Sequence, residues 1–100
     1  MSRRIYNKLV RDKIPEVMDQ AGKTYEIIEL KDTEYREALL RKLIEEIDEV
    51  VQSDGHISEI ADVLEVLHAI CALDGHSWKD VEDERKNKAN ERGTLSLIHI

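Results

Sequence analysis

Residues 42–67, KLIEEIDEVVQSDGHISEIADVLEVL, limit the fold more than any other stretch of this chain. Leu43, Ile44, Ile47, Val50 and Val51 precede the QSDGHI break, and Ile60, Val63, Leu64 and Leu67 follow it. Steps of three and four residues between apolar positions are the mark of a helix with an apolar side. The break is turn-like in composition, and a link that short makes its flanking helices antiparallel neighbours. Each helix carries an acid pair at i, i+3: Glu46 with Glu49, and Glu59 with Asp62. Three residues at about 100° each return to the same face, so four carboxylates converge. Like charges repel and a desolvated carboxylate is costly, which makes a divalent cation the natural neutraliser.

Placement on the helical wheel separates these acids from their neighbours. Lys42, Glu45, Glu46 and Glu49 share one arc, with Glu46 nearest the apolar border and Glu45 farthest from it. A ligand facing a partner helix lies near that border, which favours Glu46 and Glu49. On the second helix, expected over residues 58–73, Glu59 and Asp62 interrupt a nearly continuous apolar surface, whereas Glu65 and His68 fall on the polar strip. Ligation by oxygen alone suits a hard cation, Mg²⁺ or Mn²⁺.

The rest of the chain agrees with an all-α domain. At 100 residues, 41% hydrophobic and without Phe, the core has to be aliphatic, and 37% charged residues match packed amphipathic helices. A net charge of -7 disfavours duplex nucleic acid or an anionic membrane as the main partner, but not a nucleotide delivered with Mg²⁺. A lone Cys71, with no long apolar run or signal-like start, points to a reducing, cytoplasmic setting.

Asp12 is expected to cap a short helix with Pro15 in its first turn and Gly22 just past its end. Residues 24–30 read as a short extended segment. A long helix is expected from Asp32 or Thr33 to Val51, and a last one from Ser77 to about Glu91, opened by a capping box of Ser77 and Asp80. Residues 95–100, LSLIHI, correspond to one reading frame of a common sequencing-library transposon end, CTGTCTCTTATACACATC. They are expected to be non-native, and resequencing the locus is the check.

Two other readings compete with the metal cage. The first takes the acids as solvated faces of a non-catalytic helical interaction module. The second takes Glu65 and His68 as one E-x-x-H element of a di-iron carboxylate bundle, which needs two such elements and therefore a symmetric dimer.

Four spaced motifs also carry a resemblance: YNKLVRDKIP from Tyr6 to Pro15, KLxEExxE from Lys42 to Glu49, ExADxLEV from Glu59 to Val66, and KxxxRG from Lys88 to Gly93. In these the chain resembles the all-α nucleoside triphosphate pyrophosphohydrolases, the MazG-like superfamily, and most closely its phosphoribosyl-ATP pyrophosphohydrolase-like group. The resemblance implies a Mg²⁺ held by Glu46, Glu49, Glu59 and Asp62. It implies cleavage between the α and β phosphates to give a nucleoside monophosphate and pyrophosphate. Glu45 or Glu49 would be the general base, and Lys8, Arg11, Lys13, Lys42, Arg85, Lys88 and Arg92 would bind the triphosphate. The family usually continues RG as RGGF or RGxF, where this chain has Thr94.

Two helices with wide apolar arcs and two minor ones cannot cover each other. The chain is therefore expected to form a homodimer, or a dimer of dimers, that completes a four-helix bundle.

Overall fold

The computed structural model describes residues 9–23, 26–27 and 29–100. Four helices follow in order: α1 (Ile14–Gln20), α2 (Asp32–Gln52), α3 (Ile57–Leu73) and α4 (Trp78–Arg92). No strand occurs among the described residues, so the chain is all-α. Thr24, Tyr25 and Ile28 of the expected extended segment lie outside the described residues, and its remaining members are not in a strand.

Helices α2 and α3 form the antiparallel pair that the short break demands, and they are the main helix contact. Gln52 ends α2, and the chain reverses through Asp54 (φ 55°) and Gly55 (φ 80°), two successive left-handed residues. The Gly55 amide donates to the Val50 carbonyl at 2.9 Å, closing the helix end. His56 then serves as the cap of α3, its Nδ1 accepting from the Ser58 amide at 3.2 Å. At the far end Arg36 of α2 forms a two-pronged ion pair with Asp74, just past α3. Turn at one end and ion pair at the other fix the register of the hairpin.

That register divides each apolar arc in two. Leu39 of α2 and Val66 of α3 are buried, 2% and 6% exposed, while Leu43, Val50, Val63 and Ile70 are half-buried. Leu40, Ile44, Ile47 and Val51 of α2 and Ile57, Ile60 and Leu64 of α3 are exposed. Helix α3, expected to be covered on several sides, therefore has α2 on one side and an open apolar surface on another. The shape agrees: the radius of gyration is 17.3 Å with extents of 56 × 32 × 23 Å, against about 13 Å for a compact chain of this length.

The other helices are attached locally. Asp12 does not cap α1; Lys13 precedes it without a side-chain bond, and a backbone turn from the Ile14 amide to the Arg11 carbonyl (3.1 Å) does that work. Gly22 (φ 71°) follows the helix as expected. Helix α4 opens on Ser77, whose Oγ accepts from the Asp80 amide at 3.1 Å, and closes at Gly93. Trp78 at its start stacks on His68 of α3, with ring centroids 3.8 Å apart and planes at 17°. Leu95, Leu97, Ile98 and Ile100 are fully exposed. No helix among the described residues is long and apolar enough to cross a membrane.

Candidate metal centre

The turn of residues 53–56 sets the ends of α2 and α3 side by side, with Glu49 and Glu59 nearer the turn and Glu46 and Asp62 one helical turn further away. Because each pair is spaced i, i+3, all four point into the cleft between the helices. One carboxylate oxygen from each of Glu46, Glu49, Glu59 and Asp62 lies within 4.8 Å of the other three. Oxygens on opposite sides of a hard cation at about 2.1 Å are about 4.2 Å apart, so the four need to move inward by well under an ångström.

Glu46 is the innermost member, 5% exposed, as its place on the apolar border of α2 foretold. Its two oxygens have different surroundings. Oε1 accepts an ion pair from Lys42 Nζ at 3.0 Å, one helical turn away. Oε2 is buried and has no hydrogen-bond partner. An unmet buried carboxylate oxygen costs about 1–3 kcal/mol or more, and nearly all such atoms in proteins find a partner. Here the bare oxygen belongs to a side chain that three other acids approach.

Two cations already offset part of the charge. Lys42 also approaches Glu45 at 3.6 Å. Burial of its ammonium opposes ionisation, but bonding to Glu46 and the charges of Glu45 and Glu46 outweigh that and raise its pKa above the ordinary 10.5. Arg11, from the segment before α1, donates from Nη2 to Asp62 Oδ1 at 2.9 Å. Among the described residues no cationic side chain pairs with Glu49 or Glu59. Among the described residues, then, no cationic side chain offsets the Glu49 and Glu59 carboxylates, and a divalent cation would supply that charge.

The remaining candidates are distributed differently. Arg11 and Lys42 stand at the cluster. Lys13 is exposed ahead of α1, and Lys8 lies outside the described residues. On α4, Arg85 is held by Glu82 of its own helix at 2.9 Å, and that bond keeps the Glu82 carboxyl below its usual range. Lys88 and Arg92 are exposed. Glu65 and His68 are exposed too, with His68 stacked on Trp78, and neither belongs to the acidic group.

Wheel geometry alone singled out the four acids that the structure brings together. It missed the pairing of Arg11 with Asp62, which joins residues 51 apart in sequence through a segment without helical periodicity. Compared with protein-family models, curated proteins and solved structures, the chain finds no match.

Proposed function

We propose that this chain is a Mg²⁺-dependent nucleoside triphosphate pyrophosphohydrolase of the MazG-like kind, acting as a homodimer in a cytoplasmic setting. The observation that carries the reading is the buried, unpartnered Oε2 of Glu46 inside a cage of four acids. A hard divalent ion bound there supplies charge to polarise phosphate oxygens and to acidify a water. Glu46, Glu49, Glu59 and Asp62 would hold it. Lys42 holds Oε1 of Glu46, which leaves Oε2 available to the ion. The proton of the attacking water goes to Glu45 at the rim, or to the second oxygen of Glu49. Attack at the α phosphorus breaks the α–β anhydride, and pyrophosphate leaves.

Assembly belongs to the same reading. The exposed apolar stripe of α2 and α3 is what a second hairpin would cover to make a four-helix bundle. The basic residues of α4, Arg85, Lys88 and Arg92, would then contribute to phosphate binding from one copy or the other.

The test is pyrophosphate release with Mg²⁺ from a panel of ribo- and deoxynucleoside triphosphates and phosphoribosyl-ATP. At least one substrate is expected to give monophosphate and pyrophosphate in equal amounts, with Glu49→Ala reducing the rate by about 100-fold or more. Release unaffected by that substitution would remove the cage from the mechanism. No release from any substrate would favour the non-catalytic helical module.

A further inference from the structure

The two cations at the cage are held in different ways. Lys42 is confined to α2, its side chain is 20% exposed, and it bonds the Glu46 oxygen opposite the bare one. Arg11 comes from a non-helical segment, its side chain is 56% exposed, and it bonds Asp62 directly. A guanidinium there places a unit positive charge within a few ångströms of where a divalent ion would sit, and the two repel. Arg11 also lines a groove with Leu9, Val10, Leu30 and Tyr35, so a guanidinium that leaves Asp62 remains over a surface beside the cage. That groove offers apolar contacts and the ring of Tyr35, which suit a nucleoside, and with Asp12 and Glu29 also lining it Arg11 is the one cation among its described residues.

We propose that Arg11 is an exchangeable counter-charge: it competes with the divalent cation for Asp62, and once displaced it binds the polyphosphate of a nucleotide whose nucleoside lies along the groove. The proposal rests on the cage reading and adds to it a residue that couples metal loading to substrate binding. Displacing the guanidinium from Asp62 weakens the bare metal site, and its new bond to phosphate returns that loss when substrate is present. Metal and nucleotide therefore bind with positive cooperativity. Lys42 has no such freedom, because leaving Glu46 would strand a second buried oxygen.

The experiment is titration of the protein with Mn²⁺ alone, followed by paramagnetic resonance, for wild type, Arg11→Gln, Asp62→Asn and the double variant. Arg11→Gln is expected to bind Mn²⁺ about three- to tenfold more tightly than wild type. In the Asp62→Asn background the same change should have no effect. A second titration uses inorganic triphosphate at saturating Mn²⁺, where Arg11→Gln should bind at least several-fold more weakly. Equal or weaker Mn²⁺ binding by Arg11→Gln, with Glu49→Gln still abolishing it, overturns the exchange and leaves the cage standing. No Mn²⁺ binding by either wild type or Arg11→Gln overturns both.

Discussion

Glu46 is buried with one oxygen paired to Lys42 and the other bare, beside three further acids, an arrangement that opposes folding unless a cation offsets it. Neutralising one member should therefore stabilise the metal-free protein. Glu59→Gln is expected to raise the metal-free melting temperature by a few degrees, roughly 0.5–1 kcal/mol, and to abolish most of the rise expected of wild type with millimolar Mg²⁺. Calorimetry with and without Mg²⁺, at one protomer concentration, checks both halves. Lys42 gives a second prediction, at alkaline pH. Its folded pKa is raised above its unfolded value, so its stabilising contribution is fully present below about pH 10 and is lost as pH rises through the folded pKa. Wild type should lose more stability than Lys42→Met between about pH 10 and pH 12. Parallel denaturation curves for the two proteins across that window would count against the ion pair.

At the scale of helices, the open stripe of α2 makes the sharpest prediction. Leu40, Ile44, Ile47 and Val51 repeat at coiled-coil spacing and are exposed in the protomer, although Leu39 one residue away is buried. Ile44→Glu, 69% exposed and far from any strain of core packing, is expected to shift the protein from dimer or tetramer to monomer in sedimentation at micromolar concentration. An unchanged sedimentation coefficient would remove the stripe from the interface. The helices themselves were legible in the sequence, since Asp32–Gln52, Ile57–Leu73 and Trp78–Arg92 begin and end within a residue or two of their expected bounds. Periodicity, Ser77 and the glycines carry that information locally. The cap of α1 was misread because a backbone turn at Arg11 competes with the Asp12 side chain, a choice that composition does not determine. Nor does periodicity tell which half of a wide apolar arc meets the partner helix. That depends on hairpin register, set here by the Asp54–Gly55 reversal and the Arg36–Asp74 pair.

For the whole molecule, the extended shape and a core that, among the described residues, is little more than Leu39 and Val66 leave much apolar surface exposed in a single chain. The acid cage is nevertheless built within one protomer, from two helices joined by a four-residue link, so its geometry does not wait on assembly. That separation explains why the four acids were readable from sequence while the Arg11–Asp62 pair was not: the cage depends on short-range spacing, the pair on long-range packing. Crystals soaked in Mn²⁺ and measured for anomalous scattering test the cage most directly. The expected result is one peak per protomer, about 2.1 Å from a carboxylate oxygen of each of Glu46, Glu49, Glu59 and Asp62. A map with no peak there, or with a peak bound by other residues, would contradict it.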